Sequence, residues 1–322
     1  IRAGDTIRLK RKFSHAVFII FRTVFFIGMA YVLLYPMLVM LSRAIRPASD
    51  MLNSSIVWIP SHISTLAFKT AWEYMDFGKT ALSTGYLVIG STLFSVISCS
   101  FAGYSLGRYR LKITAPCVVV AVLSLIAPLQ TYIIPRFVQM KNFDFFGIGT
   151  LLGVFNGGTP ITYNILNTPW AYFLPAITGA GLQSGLFVLV FSQVFRKLPK
   201  ELEDAARIDG CGEFHTFIRI MVPNAGSGFL AVSLLSLVWY WNDYFYAEMM
   251  YRSVQLLSSK LVSLRATVHQ NSISKLIGHN DGLTESVIIF AGALLFVIPP
   301  LLIYLFLQKY FIQGIERSGI VG

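Results

Sequence analysis

The chain has 322 residues, 55% of them hydrophobic and only 13% charged, with a mean hydropathy of +0.65; that balance excludes an ordinary soluble globule. A net charge of +11 would suit a nucleic-acid binder, but the cations gather at the ends of long uncharged runs. Three cysteines and five histidines, scattered without paired spacing, point to neither a disulfide framework nor a metal site.

Uncharged runs at 23–42, 81–107, 113–135, 170–195, 225–242 and 286–308 each reach or approach the ~20 residues a helix needs to cross about 30 Å of hydrocarbon. The expectation is an all-α polytopic membrane protein with six transmembrane helices. Arg2, Arg8, Lys10, Arg11 and Lys12 precede the first run, and Arg108, Arg110 and Lys112 fill the short link between the second and third. Arg196, Lys197, Lys200, Arg207 and Arg219 lie between the fourth and fifth, and Lys309 and Arg317 follow the sixth. By the positive-inside rule both termini and segment 199–223 face the cytoplasm. Residues 1–22 then form a cytoplasmic N-terminal segment with no cleavable signal, its Arg22 snorkelling to headgroups, and 23–322 the transmembrane domain.

The first outer loop, about 43–80, carries Pro47, Trp58, Pro60 and Trp72 among polar residues; its Asn53-Ser54-Ser55 matches a glycosylation acceptor of very low specificity. Residues 145–155 are apolar but too short to span, and Gly157-Gly158-Thr159-Pro160 breaks them. That region reads as an outer loop with an interfacial or re-entrant piece. The last outer loop, about 249–285, carries Arg252, Lys260, Arg265, Lys275 and His279 and suits contact with an external soluble protein. Prolines and glycines within the spans (Pro128 and Pro135, Pro175 with Gly179, Gly181 and Gly185, then Pro299-Pro300) are read as helix packing in preference to a gating hinge, with Gly181 and Gly185 at small-xxx-small spacing.

Several chemistries drop out. No G-x-x-x-x-G-K-[ST] loop is present, and Gly147-Ile148-Gly149 and Gly179-Ala180-Gly181 lack the setting of a phosphate cradle. Of fifteen Asp and Glu residues none lies within a span and few adjoin one, Asp243 among them, which disfavours self-powered ion-coupled transport. Glu201, Glu203, Asp204 and Asp209 lie among cations without a pocket signature, so catalysis is not expected.

Segment 199–223 is the one conspicuously polar stretch that periodicity assigns to helix. Leu198, Leu202, Ala205, Ala206 and Asp209 recur on one stripe, and Phe214, Phe217, Ile218 and Met221 on another. Pro199 suits a first turn, Gly210 a sharp reversal and Pro223 a helix end. The result is two short helices hinged at Asp209-Gly210. Small Ala205 and Ala206 let another surface approach, and Glu203, Asp204 and Arg207 can pair across such a contact. Periodicity leaves open an amphipathic linker lying on the membrane.

The segment resembles the EAA loop of type I ABC importer permeases, E-A-A, two residues, D-G, then I, two residues and P. It stands here as Asp204-Ala205-Ala206, Asp209-Gly210, Ile220 and Pro223, with Asp204 for the usual Glu, Cys211 for Ala and Val222 for Leu. Ala102-Gly103-Tyr104-Ser105-Leu106-Gly107-Arg108, Trp239-Tyr240-Trp241-Asn242-Asp243-Tyr244 and the ending Phe311-Ile312-Gln313-Gly314 with Gly319 to Gly322 are similar to the MalG-like, carbohydrate-uptake branch. The resemblance implies a permease subunit of a bacterial ATP-driven importer in the inner, cytoplasmic membrane, itself no enzyme and with no cofactor of its own. ATP and Mg would be bound by partner ATPase subunits. The other implied partners are a homologous second permease and an extracytoplasmic solute-binding protein.

On this reading Glu203, Asp204, Ala205, Ala206, Asp209, Gly210, Ile220 and Pro223 dock on the ATPase. Gln130, Tyr132, Trp239, Trp241, Asn242 and Asp243 are the polar or aromatic groups best placed to line a path. An interfacial anchor role for Trp239 and Trp241, and a loop-tethering role for Asp243, stay open. The cargo expected is a sugar or oligosaccharide, with the cationic outer loops hinting at an acidic one. The alternatives are a permease for another polar solute and a non-transporting scaffold that recruits a cytoplasmic protein.

Overall fold

The computed structural model describes residues 3–47, 49–50, 53, 58–109, 112–155, 158–270 and 282–319. Of the residues named above, Arg2, Ser54, Ser55, Arg110, Gly157, Lys275, His279 and 320–322 lie outside these. The described residues are helical, and the β-pairing among them is one isolated bridge, Phe143 with Tyr163. The chain divides into two compact units, 1–73 with 264–295 and 74–263 with 296–322.

In the first unit, α1 (Ala3–Ala44) runs unbroken through Arg22 and contains Pro36. The chain beyond it folds back on the end of this helix. Ser42 donates to Trp58 O (2.7 Å) and Tyr35 meets the Trp58 ring edge-on. Ser61 donates to Asp50 through both N–H and hydroxyl, and α2 (Leu66–Tyr74) follows.

The second unit is organised on α3 (Phe77–Arg108), which packs against α7 (Trp170–Ile177), α8 (Ser184–Lys197) and α12 (Gly226–Asn242). Small and hydroxyl side chains let it sit centrally. In lipid, close backbone approach and interhelical hydrogen bonds replace much of the hydrophobic drive. Ser98 donates to Ala176 O (2.6 Å), Ser95 shares a hydrogen with Tyr240 (3.0 Å), and Thr84 accepts from Leu257 N (2.9 Å). Gly103 and Gly107 fall one turn apart where α3 touches α8: a Cβ would lie 2.4 Å from Phe191 Cβ at the first and 2.6 Å from Ser192 O at the second.

Among the described residues three helices are long and apolar enough to cross a membrane (Ser14–Ala44, Phe77–Arg108, Thr284–Tyr310), or up to five if each of two bent pairs is one span. The other expected spans are interrupted. The third becomes α4 (Thr114–Ile126) and α5 (Leu129–Lys141), turned by 104° at Ala127-Pro128, because Pro128 withholds an N–H and restricts its predecessor. The fourth splits into α7 and α8 around 178–183, where Gly179 and Gln183 adopt left-handed backbone. Gly181 thus lies in the break and shares no helical face with Gly185, which corrects the small-xxx-small expectation. The fifth is α12, bent by 80° from the preceding helical segment (Glu213–Asn224).

Region 145–169 holds α6 (Ile148–Phe155), tied to the returning chain by Ile161 N to Gly149 O (3.1 Å) and the Phe143–Tyr163 bridge. Then come α9 (Glu201–Ile208), α10 (Glu213–Thr216), a π-helix (Phe217–Met221) and α11 (Val222–Asn224) before α12. The chain closes with α13 (Phe245–Met250), α14 (Leu257–Gln270) and α15 (Gly282–Gly319), which contains Pro299 and Pro300.

Gly107→Ala should lower the thermal midpoint of the purified protein by the equivalent of about 1–3 kcal/mol, the usual cost of overpacking. Gly85→Ala on the same helix, where an added Cβ meets nothing within 4 Å, should hold or raise it. Equal midpoints for the two variants would contradict the close α3–α8 contact.

Candidate functional site: an anchored hairpin and a cavity

Segment 199–223 forms the expected helical hairpin. Lys200 rather than Pro199 precedes the first helical residue, and Pro223 sits inside α11, not at its end. Gly210 turns the chain at φ +76°, a conformation glycine adopts without penalty. A Cβ there would meet nothing within 4 Å, so the constraint at Gly210 is conformational.

One arginine ties the hairpin to the bundle. Arg108, the last residue of α3, gives its Nε and Nη2 to Glu203 (2.9 and 2.7 Å). Its Nη1 reaches Leu198 O (2.8 Å) and Phe195 O, and Nη2 reaches Pro199 O. Backbone carbonyls at the C-terminus of a helix run short of intrahelical donors; Phe195 O already takes the Leu198 N–H, and this guanidinium adds donors to it and to Leu198 O and Pro199 O. Tyr104 donates to the other side of the pair, at Glu203 Oε1 (2.9 Å). The two side chains are 4% and 12% exposed. Glu203 therefore faces inward and is used by this chain itself, which differs from the expectation that it pairs across a docking contact.

The second arm is held by rings. Phe217 lies 4.6 Å from Phe101 and 5.0 Å from Tyr104, centroid to centroid. With Met221 it joins a buried cluster that includes Phe187, Phe191 and Phe195 of α8 and Val232 of α12. At the rim, Tyr109 donates to Glu213, which also pairs with Arg207 (3.1 Å). The Tyr109 hydroxyl, then Arg207, hold the Glu213 carboxyl below its ordinary range. Because its pKa is depressed, this contact is complete above the ordinary carboxylate value and is lost as pH falls through the lowered one.

What remains exposed is the outer edge. Asp204, Ala205, Asp209, Gly210 and Pro223 are exposed, Ile220 is half-buried and Ala206 is buried. Ile208, 86% exposed, adds apolar surface that periodicity did not single out, and Phe214 of the second stripe is exposed as well.

Beside the hairpin's anchor, α3, α4, α5, α8, α12 and the 178–183 break enclose a cavity of about 1040 Å³. It runs from Ser105 and Leu106, near the hairpin end of α3, to Trp239, Asn242 and Asp243 at the far end of α12. Of the six expected path residues, Tyr132, Trp239, Asn242 and Asp243 line it; Gln130 is exposed but stands outside the lining. Trp241 is corrected: it is buried, its Nε1 donating to Phe296 O (3.1 Å), and it serves packing. Asp243 does double duty, its carboxylate accepting from Tyr172 (2.7 Å), Tyr246 N and Ala247 N. Arg136, absent from the expected set, also lines the cavity.

A family profile described as the binding-protein-dependent transport system inner membrane component matches residues 6–317. The chain is 27% identical over 308 residues to the arabinooligosaccharides transport system permease protein AraQ of Halalkalibacterium halodurans, covering 93% of this chain and 95% of that one. It is 23% identical over 301 residues to the diacetylchitobiose uptake system permease protein DasC of Streptomyces coelicolor, covering 93% and 94%. In fold it is similar to a chain of a bacterial ABC transporter involved in import of the acidic polysaccharide alginate, with TM-score 0.69, 19% identity, and 92% and 98% of the two chains covered.

Glu203→Gln should leave Arg108 buried without its counter-charge and cost about 3–5 kcal/mol, read as a lower denaturation midpoint, while Arg108→Met combined with Glu203→Leu should recover much of it. A wild-type midpoint for Glu203→Gln would refute the anchoring role.

Proposed function

Because the chain belongs to the family of binding-protein-dependent transport system inner membrane components, whose members work with an ATPase and a solute-binding protein, we propose that it is one of two non-identical permease subunits of a carbohydrate importer. Two ATPase subunits and an external binding protein would complete the assembly, with both termini of this chain on the cytoplasmic side. The hairpin docks on one ATPase through its exposed edge: Asp204, Ala205, Asp209 and Gly210, with Ile208 as an apolar contact. Ile220 and Pro223 shape the second arm, while Glu203 and Ala206 act from beneath by fixing the first.

The observation that carries this reading is the junction at Arg108. One side chain joins the docking helix, the end of α8 and the end of α3, and α3 and α8 are themselves walls of the cavity. A push on the hairpin is therefore delivered to helices that shape the cavity rather than dissipated in a hinge. A few kcal/mol of differential contact between two states suffices to shift such an equilibrium. The sugar cargo is supported by the relatives' names and by aromatic and amide groups on the wall, Tyr132, Trp239 and Asn242. The cavity beside the lever favours transport over a bare recruiting scaffold.

In proteoliposomes holding the full complex, loaded binding protein should stimulate ATP hydrolysis and sugar uptake. Gly210→Trp should cut uptake per ATP hydrolysed by about tenfold or more, equivalent to ~1.4 kcal/mol or more of lost coupling, while the permease pair still assembles. Asp204→Asn should act in the same direction more weakly. Wild-type coupling in Gly210→Trp would count against the docking role.

A further inference from the structure

Arg136 and Asp243 are the charged side chains on the cavity wall. They are not equivalent. Asp243 is spent: both its oxygens accept hydrogen bonds, from Tyr172 and from the N–H groups of Tyr246 and Ala247. Arg136 has only neutral company. Its Nη2 donates to Ala180 O, the Tyr246 hydroxyl stands beside it, and its Nε is buried with no hydrogen-bond partner. Among the described residues no carboxylate pairs with it.

Arg136 is half-buried with its Nε shielded from water, and a charge even partly desolvated and left without a counter-charge carries a cost. It sits on α5 against the 178–183 break, whose non-helical backbone lines the cavity. Irregular backbone at membrane depth is tolerated where it lines such a space, and broken helices of this kind frame substrate sites in transporters. Holding the Ala180 carbonyl takes one donor of five, and any neutral donor could do it. A planar, permanently charged fork offers more than that task needs, and its natural complement is a carboxylate.

We propose that Arg136 selects for charge in the cargo, and that the cargo is a carboxylated saccharide whose uronate group docks on this guanidinium. The inference rests on the carbohydrate-permease reading and adds to it a substrate class and a residue.

The test measures equilibrium binding of trigalacturonate and of its methyl ester, which differ in charge but keep the sugar frame. The purified permease–ATPase complex is used in phosphatidylcholine nanodiscs without the binding protein. The wild type should prefer the acid by about tenfold or more, and Arg136→Gln should lose that preference, as expected when one member of a desolvated charge pair is removed. Arg136→Lys should keep part of it. Should Arg136→Gln fail to assemble, protection of Arg136 in the wild type from phenylglyoxal by the acid but not the ester reads the same contact. Equal binding of acid and ester, a preference surviving in Arg136→Gln, or no protection would overturn the proposal. So would displacement of the acid by phosphatidylglycerol with no acid-over-ester preference, which would assign the charge to a lipid headgroup. A complex that fails this test yet carries neutral oligosaccharides into proteoliposomes leaves the permease reading standing; one that carries no saccharide at all removes both.

Discussion

The guanidinium of Arg108 is the constraint on which the second unit depends. It closes α3, donates to carbonyls at the end of α8, and holds the carboxylate of Glu203 on α9. A buried ion pair is poor evidence of net stability, since desolvation offsets most of its Coulomb gain. Its value here is geometric. Few side chains can bind a carboxylate with two donors and still reach several carbonyls, and the result ties the hairpin to the ends of both α3 and α8. Phe217 and Met221 add the apolar half of the joint.

The rigid joint contrasts with the interrupted helices around the cavity. α4 turns sharply into α5, and the α7–α8 segment opens at 178–183. A break at membrane depth must satisfy its polar groups, and several at 178–183 are paired locally or with Arg136. Ala180 N returns to Pro175 O (2.8 Å) and Gly179 N to Ala176 O, and Ala180 O takes a proton donor from Arg136. A tied hairpin and a cavity lined by interrupted helices are the arrangement on which the proposed coupling rests. Relatives that carry oligosaccharides share nearly the full length of the chain, in keeping with one architecture serving different cargoes.

Local chemistry made the hairpin legible. A polar stretch among apolar runs, two amphipathic stripes and a glycine at the reversal are each decided within a few residues, and the turn at Gly210 follows the expected form. The direction in which Glu203 points could not be read that way, because its partners Tyr104 and Arg108 lie about a hundred residues earlier. Trp241 illustrates the same limit. It shares a motif with Trp239, yet helix rotation puts one ring on the cavity and the other against Phe296.

Hydropathy by itself determined that the chain is a helical membrane protein, since an uncharged run of span length has few other stable fates. Local turn and periodicity rules likewise determined the hairpin. Only the tertiary structure decided which spans stay whole, which acidic residue is spent internally and which cation stands unpaired in the cavity. Those outcomes depend on which distant groups satisfy a freed carbonyl or neutralise a charge, and such partners are brought together by packing, not by proximity in the chain.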